Sequence, residues 1–133
     1  MQLRSSARCG AMLGVLVSWT ALAHHSNAMF DRTKEVVVTG TVREFQWTNP
    51  HIFIELTVQG ASGPYNYSIE GPAPGVLRKH GWKFSSLKAG DKVVVKVHPL
   101  KDNRPGGGLI SVSKDGVILG DQVASPGYEG GNK

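Results

Sequence analysis

The chain has a single cysteine in 133 residues, Cys9, and it precedes an apolar stretch that should be cleaved away on export. A mature chain without thiols has no disulfide, no thiolate metal site and no cysteine nucleophile. Long hydrophobic runs are missing too. Residues 11–23 form an apolar run too short to cross a bilayer comfortably, so no membrane span is expected after processing. Concentrated charge is also lacking: 15 Lys and Arg face 10 Asp and Glu, and Lys83, Lys88, Lys92, Lys96 and Lys101 are scattered. Without an arginine-rich run or interleaved aromatics, the positive charge reads as a solvated face and no nucleic-acid partner is expected. No serine sits in a Gly-x-Ser-x-Gly elbow. Gly106, Gly107 and Gly108 lack the Lys-Ser/Thr of a phosphate loop, so the run reads as a flexible loop between two strands.

What is present begins with a secretory signal over residues 1–23. Arg4 and Arg8 supply the positive start, and Ala21, Leu22 and Ala23 fit the small-x-small cleavage rule. The protein is therefore expected to be periplasmic or secreted, with His24 as its first mature residue. Subtracting the two signal arginines leaves 13 basic against 10 acidic residues, a mild excess. The remaining length has room for one domain, taken as residues 24–119, followed by a Gly-rich polar tail over 120–133 that is expected to be disordered.

Strand periodicity dominates that domain. Residues 24–34 have no clean period and read as an extended lead-in pinned by Met29 or Phe30. Val36, Val38 and Val42 alternate with Val37, Thr39, Thr41 and Arg43, but the apolar phase shifts by one before Phe45 and Trp47, which a bulge near residues 40–43 explains. Ile52, Ile54, Leu56 and Val58 form the cleanest strand, and Tyr65, Tyr67 and Ile69 mark a third. A short helix over residues 76–80 ends at Gly81, and Trp82, Phe84 and Leu87 read as core or plug residues. Val93, Val95 and Val97 form a fourth strand and residues 109–113 a fifth, before a terminal apolar run at 117–119. Three strands, a short helix and two strands predict an all-β fold: a small five-stranded OB-like Greek-key barrel with a short helix between strands 3 and 4. An open β-sandwich is the alternative.

The residues also carry a resemblance. His24-His25-Ser26, Phe30-Asp31, Gly40-Thr41-Val42 and the string Trp47-Thr48-Asn49-Pro50-His51 form its first half. Ile69-Glu70-Gly71, Leu77, Gly81-Trp82 and His98-Pro99 continue it. Together they resemble an exported bacterial family, a domain of unknown function numbered 6152. The resemblance implies an exported small β-domain and transfers no functional residues.

Candidate sites must then come from chemistry. An N-terminal His24 offers an amine and an imidazole to one ion, His25 adds a second imidazole, and copper(II) suits such nitrogen sets. The alternative is a solvated leader. His98, ending strand 4, is a further candidate metal ligand, expected near the leader and at the barrel end opposite His51. If strands 2 and 3 form a hairpin, His51 meets Glu70, either as a rim hydrogen-bond pair or as a ligand pocket. In that pocket Trp47 and Phe53 would supply apolar walls and Asn49 an amide. The expected function is a monomeric binding module for a metal ion (copper), a small molecule or a periplasmic protein. An enzyme would have to use the pair of His51 and Glu70.

Overall fold

A computed structural model describes residues 26–119. The expected signal, His24 and His25, and the tail from residue 120 lie outside the described residues. The elements in order are a 3-10 turn (Ser26–Met29), β1 (Val36–Gln46), β2 (Ile52–Gly60), β3 (Gly63–Gly71), α1 (Pro74–Lys79), β4 (Lys92–Pro99), β5 (Gly106–Lys114) and β6 (Val117–Ile118). Hydrogen-bonded neighbours run β3-β2-β1-β4-β5-β6, and a parallel pairing of β3 with β5 closes the ring. This is the five-stranded OB barrel with its helix between β3 and β4. The sandwich alternative fails because no open edge separates two sheets at that seam.

The alternation seen in the sequence decides which side chains enter. Ile52, Ile54, Leu56 and Ile69 are fully buried, as are Val95, Val97, Leu109 and Val112. Each such side chain contributes about 2 kcal/mol by leaving water. The register of β1 on β2 slips between Val42 and Glu44, which puts the expected bulge at Arg43 and turns Phe45 and Trp47 toward the core. The turn from β1 to β2 contains a cis peptide bond between Asn49 and Pro50.

Two expectations need correcting. Gly106, Gly107 and Gly108 are not a flexible loop; they are the buried start of β5 and make the closing pairs with Ser68, Ile69 and Glu70. A Cβ on Gly107 would stand 2.5 Å from the His98 carbonyl oxygen, and one on Gly108 would stand 3.1 Å from the Phe30 ring. The bare backbone is what lets β3, β4 and the lead-in crowd one strand. Phe84 is the second correction. Trp82 and Leu87 are buried as expected, but Phe84 is 72% exposed, because residues 83–86 form a tight turn that points it outward.

The lead-in is pinned by Phe30, 3% exposed, which bridges to Leu100. The Asp31 amide donates to the Pro99 carbonyl at 2.8 Å, and the Lys101 amide to the Met29 carbonyl at 2.9 Å. The Thr33 hydroxyl donates to Asp31 at 2.6 Å and, with Lys34 beside it, holds that carboxyl down at about 2. At the other end of the barrel sequence, Asp91 accepts from the Lys88 amide at 3.0 Å and from Lys114 Nζ at 2.7 Å, tying the turn before β4 to the end of β5.

Candidate functional site

The outer face of β2 and β3 collects the chemistry. Phe53 lies opposite Glu70, and Glu55 opposite Ser68. Period-2 alternation places all four on the side facing away from the core, together with His51. The Ser68 hydroxyl donates to Glu55 at 2.7 Å, and Arg43, released outward by the bulge, approaches the other Glu55 oxygen at 3.6 Å. Glu55 is thus occupied locally.

His51 Nδ1 stands 3.2 Å from the Gly71 carbonyl oxygen and 3.5 Å from Glu70 Oε1. The Gly71 carbonyl can only accept, so His51 Nδ1 is the donor in that contact. The hairpin register brings His51 and Glu70 together as anticipated.

The lead-in adds a second wall to this face. A groove of about 370 Å³ lies between Phe53, Ser68 and Glu70 on one side and Met29, Phe30, Leu100, Arg104 and Pro105 on the other. Apolar groups line most of it, with Glu70 and Arg104 as its charged members. Arg104 Nε is bound to Asp102 at 2.7 Å, which holds the Asp102 carboxyl below its usual range and steadies the loop over residues 101–105. A neighbouring groove of about 490 Å³, lined by Tyr65, Tyr67 and Asn103, shares Leu100, Arg104 and Pro105 with the first.

The other candidates are distributed differently. Trp47 does not line the groove: it packs on the core, edge-on to Phe45 at 5.5 Å, with the Arg78 guanidinium 5.7 Å above its ring. Its Nε1 is buried without a partner, as is that of Trp82. Asn49 is exposed in the turn. His98 Nδ1 donates to the Lys34 carbonyl at 2.8 Å, beside the lead-in as expected. The expectation that His98 stands at the end opposite His51 is overturned by closure. Gly108 is the register partner of Glu70 on one side and of His98 on the other. Glu70 and His98 are therefore two strand spacings, about 10 Å, apart on one girdle. Among the described residues no group of three or more His, Cys, Asp or Glu could hold a metal ion.

Sequence reading missed Ser68, Leu100, Arg104 and Pro105 as groove residues. The signal was available in the topology. Once β5 runs parallel beside β3 from Ser68 onward, the loop entering β5 must lie against the stretch of β3 just before Ser68, two residues short of Glu70 on the same face.

A family model matches residues 13–109, which include β1 to β4, α1 and every groove residue. The chain belongs to the family of unknown function DUF6152. The match takes in the Trp-Thr-Asn-Pro-His turn, Glu70 and the His98-Pro99 end of β4. No curated protein and no solved structure shows significant similarity to the chain. For this DUF6152 member, assignment of a site therefore rests on its geometry.

Proposed function

We propose that this DUF6152 chain is an exported binding module, and that its ligand is a small molecule or protein side chain with an apolar body and a cationic or hydrogen-bond-donating head. The observation that carries this reading is the juxtaposition of Phe53 and Glu70, cross-strand partners lining one groove closed by the lead-in. OB folds use the strand 2 and 3 face and the loop before strand 5 for ligands, and the groove lies at that place. Its aromatic wall would take the apolar body, and the Glu70 carboxylate, on the same groove wall as Phe53, would accept from the head. Glu44, Glu55 and Glu70 on the surrounding face disfavour an anionic nucleic acid. Binding is favoured over catalysis because the Ser68 hydroxyl, the nearest groove nucleophile, is donated to Glu55 and not to an imidazole.

A thermal-shift panel of aromatic amines, aromatic carboxylates and neutral aromatics tests this, since a ligand that binds only the folded state raises its melting temperature. Amines should stabilise the protein, carboxylates should not, and the effect should vanish in Phe53→Ala and weaken in Glu70→Gln. Equal shifts with all three classes, or shifts that survive both substitutions, would refute the reading.

Copper(II) on His24 and His25 is the second reading. It rests on the residue types at the expected mature start. A chain processed at Ala23 would offer its free amine and two imidazoles. Paramagnetic resonance of that protein and of a form with one added residue before His24 tests the idea. An unchanged spectrum and affinity would remove the amine from the ligand set, and no binding by either form would remove copper.

A further inference from the structure

Residues 71–90 contain Arg78, Lys79, His80, Lys83 and Lys88 and no Asp or Glu. This stretch forms α1 and the turns that follow it. Leu77, Trp82 and Leu87 point into the barrel and are buried, and the charged residues are left outside. Among the described residues five cations elsewhere are neutralised in pairs, and Lys92 and Lys101 are not: Lys34 pairs with Asp31, Arg43 with Glu55, Lys96 with Glu35, Arg104 with Asp102 and Lys114 with Asp91. Lys79 and Lys83 make no ion pair among the described residues, and Arg78 lies over the Trp47 ring.

Phe84 follows Lys83 directly in this positive stretch and is exposed, as is Val76 in α1. Its exposure is not slackness. The turn that carries it is closed twice, by the Ser86 amide on the Lys83 carbonyl at 2.9 Å and by the Lys83 amide on the Ser86 hydroxyl at 2.8 Å. The Trp82 amide on the Leu77 carbonyl, at 3.1 Å, fixes the turn to the last turn of α1 and so sets Lys79 and Lys83 close in the chain path to the projecting ring. A phenyl ring held 72% exposed by a braced turn, directly after Lys83 in a stretch whose own sequence has no carboxylate, gains nothing for the fold.

We propose that this cap is a docking surface for an anionic lipid bilayer. Phe84 enters the headgroup region, and Lys79, Lys83 and Arg78 meet lipid phosphates. A bilayer is the occupant because it complements both features at once: it is negatively charged, and it takes a single projecting aromatic ring at headgroup depth without a shape-matched pocket. An attachment of a few cations and one ring is reversible and sensitive to salt.

Flotation of the chain starting at His24, which leaves out the apolar run over residues 11–23, with vesicles of phosphatidylcholine containing 30 mol% phosphatidylglycerol (roughly the anionic content needed for a substantial surface potential) tests the proposal. Lys79→Glu with Lys83→Glu should weaken partitioning by about thirtyfold or more, and Phe84→Ser by about tenfold, both with the melting temperature kept. Pure phosphatidylcholine vesicles should recover little protein by way of the cap. Full retention by both variants would overturn the proposal. So would capture of the wild type by polyglutamate through the same residues while the vesicles leave it in solution, which would make the cap a surface for acidic protein.

Discussion

Gly107→Ala is a change of one methyl group that should cost about as much as truncating a large core side chain. Gly107 pairs with Ile69 across the closing seam and with Pro99 on β4, so its strand cannot move away from one neighbour without approaching the other. The added Cβ would meet the His98 carbonyl oxygen at 2.5 Å and the Val97 side chain at 2.9 Å. The first contact is with backbone and cannot be relieved by a rotamer change. Overpacking of this kind costs about 3 kcal/mol, which for a domain of this size lowers the melting temperature by about 12–24 °C. Gly75→Ala is the matched control. A Cβ at Gly75, inside α1, meets nothing within 4 Å. There the same substitution should raise stability by about 0.5 kcal/mol, through the smaller entropy of the unfolded chain. Urea unfolding followed by tryptophan fluorescence reports both. A loss below about 0.5 kcal/mol for Gly107→Ala, the range of ordinary exposed sites, would mean that the triple glycine is a loop and that the barrel is not closed there.

The remaining predictions concern the core, the turn before β4 and processing. Trp47→Ala should cost about 3 kcal/mol and leave groove binding intact, because the indole packs on Phe45 and Arg78 and not on the groove; a loss of amine binding at unchanged stability would return it to the ligand site. Asp91→Asn should cost about 2 kcal/mol near neutrality by weakening a charge-assisted bond to Lys114. The Lys114 hydrogen bond lowers the Asp91 pKa in the fold, so this stabilisation is present above the ordinary aspartate value near ~3.9 and disappears as pH falls through the lower folded value. Stability curves for wild type and Asp91→Asn should therefore converge in acid, and a gap that widens there would contradict the assignment. The intact mass of exported protein should correspond to a chain starting at His24; a product retaining residues 1–23 would remove both the cleavage and the N-terminal copper reading.

Legibility followed the strength of local pattern. Ile52, Ile54, Leu56 and Val58 announce β2 because one face is core and the other is not, and the phase slip before Phe45 marks the bulge at Arg43 for the same reason. The meeting of His51 with Glu70 was readable because a hairpin fixes register. Gly106 to Gly108 misled because glycine composition reports backbone freedom, whereas here crowding by His98, Val97 and Phe30 selects it. Phe84 misled because hydrophobicity alone cannot tell a core ring from one held out by a turn. The second wall of the groove depends on a parallel contact between β3 and β5, a long-range pairing that no local period encodes.

The claim that the Phe53 and Glu70 groove is the ligand site is tested most directly by amide chemical-shift mapping with phenethylamine, an aromatic body carrying an ammonium head. The account predicts saturable shifts, with an affinity on the order of millimolar for so small a probe, confined to Phe53, Ser68, Glu70, Leu100 and Gly107 and lost in Phe53→Ala. Shifts centred elsewhere on the barrel, or none at saturating phenethylamine, would contradict it.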